Sequence, residues 1–286
     1  MPFFTAPDGT RLAYDVKGGP LDSHSRKPLI CIPGGPMREP VYLGDLGGLA
    51  DARPLVILNL RGTGGSDKPA DPQTYRADRM IEDVDALREH LGREQLDLLA
   101  HSAGGTLALL YAAAHPERVS SLILVTTALR ALGMPPTPEH RAEAKDLRKD
   151  EPWYADACAA EQRIDEDEDN ASTEDWLLYA HFTYGRWDTA IEAFEAASDA
   201  QFTNEEASAL FLSPEACDPE QVKADLANLT APVLILAAEY DALPRPEVAT
   251  LGARHFPNAR VVVQPHAGHF PWIDDPATFV RLVTGP

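Results

Sequence analysis

Three residues could together make a hydroxyl nucleophilic: Ser102 in LLAHSAGGTLALL, Asp241 in VLILAAEYDALP and His269 in VVVQPHAGHF. A serine hydroxyl attacks poorly unless a base takes its proton and a carboxylate orients that base. Each of the three follows a short apolar run, and they occur in the order serine, acid, histidine, as they do where the serine tops a strand-to-helix turn. The run AHSAGG, residues 100–105, departs by one methyl group from the GxSxG pattern of that turn. Ala100, Gly104 and Gly105 leave room for the tight backbone such a turn needs. The competing reading of Ser102 is the N-cap of the helix TLALLYAAAH; the motif already favours the nucleophile, and an acid and a histidine after later strands strengthen it.

Each partner has a competitor. Glu239 stands two residues before Asp241 but closer to the strand, and His266 precedes His269, which has the more flexible approach through Gly268. After VSSLILV come Thr126 and Thr127 rather than a carboxylate, which strengthens Asp241. His101 adjoins the serine but points elsewhere if Ser102 occupies the tip of the turn, and His90 and His115 fall at helix ends. The negative oxygen formed by attack on a carbonyl needs preorganised amides. Ala103 supplies one, and the glycine loop after PLICIP the other. Gly35 is preferred there over Gly34 or Met37, because Pro36 has no amide hydrogen and fixes its neighbour.

These positions require strands to hold them. PLICIP (residues 28–33), RPLVILNL (53–60), the run ending at His101, VSSLILVTT (119–127), VLILAAE and ARVVVQ are apolar runs of strand length. DGTRLAYDV (8–16) reads as an arm of an antiparallel hairpin at the sheet edge, with a polar loop over 17–28. Between them, Met80, Ile81, Val84, Leu87 and Leu91 recur at helical intervals before Gly92, and further helices are expected over 104–115, 246–256 and from about Phe270. Strands alternating with helices imply an α/β fold with a mainly parallel sheet and flanking helices. From 128 to 229 the strand pattern stops and helical segments replace it. The expected organisation is a core over 1–127, an inserted helical cap over 128–229, and the rest of the core over 230–286.

Composition excludes several functions. With 45 acidic and 25 basic residues the net charge is −20, which opposes nucleic acid and anionic membrane surfaces as partners. RGTGGSD has Asp67 where GxGxxG needs its third glycine, so no dinucleotide cofactor is expected. The acidic run IDEDEDN (164–170) has no histidine or spaced ligand set and reads as a solvated helix end; no metal is expected. Cys31, Cys158 and Cys217 are widely spaced and read as free thiols. Without a leader-like N-terminus or an apolar run of membrane-spanning length, a reducing cytoplasm is the expected location. The aromatics of WLLYAHFTYGRWD (176–188) are placed either to line a pocket or to pack a core.

Taken together, these residues resemble the α/β-hydrolase family and, within it, the prolyl iminopeptidases and related aminopeptidases. PGGPM (33–37) looks like their HGGPG loop, NLRGTGGS (59–66) is similar to their DxRGxGxS, and SAGGTLALLYAAAHPERV (102–119) resembles their elbow helix; EYDALP and HAGHFPW fit the same family. The resemblance covers both core segments and hardly the cap. It implies a cofactor-free serine hydrolase with Ser102 as nucleophile, Asp241 as acid, His269 as base, and Gly35 and Ala103 as oxyanion donors, while Arg61 and Gly62 are structural. It further implies a small-molecule or short-peptide substrate whose free amino group meets an acidic cap residue. Asp188, beside Trp187, and Glu192 are the candidates, with Met37 and Trp187 as further contacts. The sequence differs from the family pattern at Pro33, Met37, Asn59, Ala100 and Ala103, and these differences bear on substrate rather than fold. The leading expectation is release of a small or proline N-terminal residue. The alternatives are an esterase, thioesterase or lactonase, or a binding protein of the same fold.

Overall fold

The computed structural model describes residues 1–21 and 27–285, so residues 22–26 of the expected polar loop lie outside the described residues. Eight strands form one sheet: β1 (Phe3–Thr5), β2 (Arg11–Lys17), β3 (Leu29–Ile32), β4 (Leu55–Leu58), β5 (Leu96–His101), β6 (Val119–Val125), β7 (Val233–Ala238) and β8 (Ala259–Gln264). Their order is β1-β2-β4-β3-β5-β6-β7-β8. The first two pairings, β1 with β2 and β2 with β4, are antiparallel; all the others are parallel.

Every residue of β3, β4 and β7 is buried. Continuous aliphatic runs of this kind are what a parallel sheet needs when helices cover both faces. Successive side chains accordingly enter different cores. Ile30, Ile32, Val56, Leu58, Leu98, Leu122 and Leu124 pack on one face, and Leu29, Cys31, Leu55, Ile57, Leu99, Ile123 and Val125 on the other. Each fully buried Leu, Ile or Val contributes about 1.5–3 kcal/mol relative to exposure.

The helices are α1 (Leu49–Ala52), α2 (Ala77–His90), α3 (Gly104–Ala114), α4 (Pro138–Asp146), α5 (Tyr154–Glu166), α6 (Thr173–Ala180), α7 (Thr189–Ala196), α8 (Glu205–Phe211), α9 (Pro219–Leu226), α10 (Pro246–Ala253), α11 (Pro271–Asp274) and α12 (Pro276–Thr284). α2 buries Ala77, Met80, Val84 and Leu87, the spacing of a single helical stripe. α3 is buried along almost its whole length, as expected of GGTLALLYAAA. Between β6 and β7 the described residues form helices without a strand. The last of these, α9, packs back onto α3, and Leu129, Leu132, Val222 and Leu226 belong to the core beneath it.

Register carries the functional consequence. Ile32 pairs with Ala100, His101 with Val125, Val125 with Leu236 and Ala238 with Gln264. The loops after β3, β5, β6, β7 and β8 therefore emerge along one edge, at the carboxyl ends of the strands. The chain runs outward from β3 to β4 and then returns to place β5 on the opposite side of β3. In open α/β sheets, ligands bind at such a reversal of strand order.

Candidate active site

Ser102 leaves the end of β5 with φ +52, a left-handed conformation uncommon for a residue with a side chain. Its N–H bonds to the Val125 carbonyl (3.1 Å) and its own carbonyl accepts from Gly105 (3.1 Å), so the turn is fixed from both sides. Small neighbours make this possible. A Cβ on Gly104 would lie 2.3 Å from the Pro33 carbonyl oxygen, and one on Gly34 would lie 2.8 Å from the Ser102 Cβ. The glycine loop after β3 and the serine turn after β5 thus touch through atoms only glycine leaves free.

Later strands deliver the partners. Ser102 Oγ lies 2.9 Å from His269 Nε2, and His269 Nδ1 lies 2.8 Å from Asp241 Oδ2. Asp241 is buried, and its other oxygen accepts from the Leu243 amide (3.1 Å). The competing pair goes elsewhere: Glu239 accepts the His266 amide hydrogen (2.7 Å), and the His266 ring is exposed against Tyr240. Of the four positions weighed from sequence, Asp241 and His269 come together with Ser102.

His269 is held through its backbone as well. Its N–H donates to Thr183 (2.7 Å), and its carbonyl accepts from Thr126 Oγ1 (2.9 Å) and His101 Nε2 (3.0 Å). His101 therefore has a part that its position beside the serine does not suggest. Its Nδ1 accepts from the Tyr42 hydroxyl (2.8 Å), and that hydroxyl accepts from the Gly34 amide (2.6 Å). With Nδ1 accepting and Nε2 donating, His101 is a neutral imidazole in a defined tautomer. Burial, with His269 nearby, holds its pKa well below the ordinary histidine value. This chain joins the glycine loop to the backbone of His269.

The amides available to a developing oxyanion follow. Gly34 N–H is engaged by Tyr42, and Pro36 has none. The N–H groups of Gly35 and Ala103 have no acceptor among the described residues; Ala103 follows Ser102 in the chain, and Gly35 lines the same cavity as Ser102.

A cavity of about 210 Å³ opens over this group, lined by Gly35, Arg38, Ser102, Glu195, His269 and Phe270 among others. A second, of about 230 Å³, lies on the Asp241 side beneath Tyr179 and Phe182, and the two share Thr183 and His269.

A family model described as the alpha/beta hydrolase fold matches residues 27–276. The chain belongs to this family. A proline iminopeptidase of Heyndrickxia coagulans is 25% identical over 280 residues, covering 94% of this chain and 95% of that one. Among solved structures, a proline iminopeptidase of Mycobacterium smegmatis superposes with a TM-score of 0.72 at 23% identity, covering 99% of this chain and 96% of that one. Est816, described as an N-acyl homoserine lactone degrading enzyme, gives 0.67 at 21% identity, covering 99% of both chains. Both likenesses establish the fold alone.

The remaining sequence candidates of this hydrolase-fold chain are not among the residues lining the cavity that holds Ser102. Asp188 caps α7, its Oδ1 accepting from Ala190 and Ile191 (3.0 Å each), and pairs with Arg186. Its carboxylate is thereby engaged in holding the helix. Glu192 is on the exposed side of α7. Trp187 stacks on His181 at 4.0 Å and packs with Tyr184, and Met37, 1% exposed, is part of the core. The cavity instead contains Glu195, whose Oε2 accepts from the Tyr184 hydroxyl (2.5 Å). Burial and that carboxylate keep Tyr184 protonated. Residues 165–170 of the acidic run are exposed at the end of α5.

Arg61 and Asn59 keep the second glycine turn in place. Arg61 is buried between Asp83 and Asp8, and Asn59 accepts from Gly65 while donating to Asp15. These bonds account for Asn59 at a family aspartate position: the amide supplies an acceptor for the turn and a donor for the neighbouring strand.

Proposed function

We propose that the protein is a serine hydrolase working through an acyl-enzyme, and that its substrates are peptides or amides with a free, small or proline N-terminal residue. The observation that carries the chemistry is the unbroken relay from Ser102 through His269 to buried Asp241. As Ser102 Oγ attacks a carbonyl carbon, its proton passes to His269 Nε2, and Asp241 stabilises the imidazolium through Nδ1–H. The carbonyl oxygen, now negative, is received by the Gly35 and Ala103 amides; each such donor is typically worth about 10²–10³ in rate. His269 then protonates the departing amine, and water, activated by the same histidine, releases the acyl group and restores Ser102.

Glu195 supports the aminopeptidase assignment. A carboxylate in the cavity of the nucleophile provides charge pairing for a substrate ammonium and disfavours a blocked terminus. The iminopeptidase named among the relatives aligns along nearly the whole chain, which agrees with this assignment. A cytoplasmic setting belongs to the same proposal, supported by Cys31, Cys158 and Cys217 as free thiols. An esterase or lactonase is the second reading, favoured by the apolar rings of Phe202 and Phe270 in the cavity.

The test compares kcat/KM for a free-amine alanyl or prolyl anilide, its N-acetyl twin and a short aryl ester, using the parent, Ser102→Ala and Glu195→Gln. The free amine should be preferred at least about tenfold, with the preference lost in Glu195→Gln. Ester cleavage without anilide cleavage would transfer the assignment to the second reading. Equal rates for Ser102→Ala and parent on every substrate would leave a binding protein.

A further inference from the structure

Four arginines of the described chain are buried, and three have a carboxylate within reach. Arg61 meets Asp83 and Asp8, Arg148 lies 3.3 Å from Glu151, and Arg245 lies 4.0 Å from Glu143. Arg38 is the exception. At 5% exposure it has no carboxylate within 4.0 Å among the described residues, and of its guanidinium nitrogens only Nε is bonded, to Gln201 Oε1 (2.7 Å). Nη2 is fully buried without a partner. Burying a cation without a counter-charge is costly, and a buried donor left unpaired adds to that cost.

Its surroundings hold the guanidinium without an ion pair: Glu195 and Asp199 act on it through space, but no carboxylate of the described residues comes within 4.0 Å. The group lies 4.4 Å from the centre of the Tyr42 ring and within 5.7 Å of the Phe194, Phe202 and Phe270 rings. Ring faces stabilise a cation by quadrupole attraction and leave its in-plane donors free. Arg38 also lines the same cavity as Ser102 and Glu195. The two opposite charges there are not joined as an ion pair: Tyr184 takes Glu195, while Gln201 and the aromatic rings take Arg38.

We propose that Arg38 is the subsite for a substrate carboxylate, so that the substrate is a small zwitterion with its ammonium toward Glu195 and its carboxylate toward Arg38. The proposal rests on the hydrolase reading of Ser102 and narrows it: among peptides, those that fit are dipeptides with both ends free. A planar guanidinium matches a carboxylate with two parallel donors. Arg38 is the sole Arg or Lys lining the cavity among the described residues, and Glu195 is beside it, which favours a monoanion over a phosphate dianion.

The test uses alanyl-alanine against its C-terminal amide, and butyrate against butyramide in titration calorimetry, with parent, Arg38→Met and Arg38→Lys. The parent should favour the free carboxylate by at least about tenfold in kcat/KM. Arg38→Met should raise KM for the dipeptide with little change for the amide and abolish butyrate binding, and Arg38→Lys should restore part of both. Comparing the two substrates on the parent protein needs no variant to fold. Equal kcat/KM for acid and amide, together with butyrate binding that is absent or unchanged in Arg38→Met, overturns the proposal while leaving the peptidase assignment in place. If neither dipeptide is cleaved, the peptidase assignment fails and butyrate binding decides the role of Arg38 by itself.

Discussion

The carbonyl of His269 accepts a hydrogen bond from Nε2 of His101, 3.0 Å away, so the proposed base is fixed by the residue preceding Ser102. Through Tyr42 the same imidazole is tied to Gly34, at the start of the loop expected to receive the oxyanion. His269 and the glycine loop are thus tied into one buried network.

Tyr42→Phe should separate them. Removing the hydroxyl leaves the Gly34 amide and His101 Nδ1 unpaired in a dry setting, a loss of about 1–3 kcal/mol in stability. Activity should fall in kcat more than in KM, because the defect is in aligning reacting groups rather than in holding substrate. Thermal unfolding and steady-state kinetics check both; a variant with parental kcat would remove the network from the mechanism.

Asp274 supplies a pH-dependent term in stability. Its carboxylate accepts from the Gly268 amide (2.7 Å), next to the base, but burial raises its pKa to about 6 against that opposing bond. The folded state therefore holds this proton more tightly than the unfolded chain does. The stability it contributes is complete below the unfolded value of 3.8 and is lost as pH rises through about 6. Above that the ionised group costs about 3 kcal/mol. Asp274→Asn keeps an acceptor for Gly268 and should raise Tm at pH 8 while changing it little at pH 4. Parallel Tm curves for parent and variant across that range would contradict the assignment.

Gly104→Ala probes the contact between the two loops. The added methyl would lie 2.3 Å from the Pro33 carbonyl oxygen and 2.9 Å from that of Ile32, both main-chain atoms with little freedom to yield. Overpacking of this kind typically costs about 1–3 kcal/mol. A lower Tm with a lower kcat is expected, and parental values of both would show that the loops tolerate separation.

Much of this site can be read in the sequence because local signals coincide with what the fold needs. LICI, LVIL and VLILAA have no charged residue to offer water, and Ser102, Asp241 and His269 each follow the end of a strand, LDLLAH, VLILAA and ARVVVQ respectively. Asp188 is engaged for an equally local reason: Asp followed by TAIEAF is an N-cap signal, and its carboxylate caps the helix. Glu195 was legible in principle. Ile191, Phe194, Glu195 and Ser198 share one helical face, on which a glutamate among inward-facing residues is out of place, whereas Glu192 falls outside that face. Arg38 carried no such signal. Its burial depends on rings from Tyr42, Phe194, Phe202 and Phe270, brought together only by the fold, and no spacing near PGGPMR foretells them. The role of His101 likewise depends on contacts with Tyr42 and His269 from distant parts of the chain.

The central claim is that Ser102 is a nucleophile activated by His269. Covalent labelling with a fluorophosphonate, followed by intact mass and peptide mapping, tests it without knowledge of the substrate. One adduct per chain is expected, located on Ser102, absent in Ser102→Ala and formed at least about 10²-fold more slowly in His269→Ala. Labelling of Ser102→Ala at the parental rate, or an adduct on another residue, would contradict it.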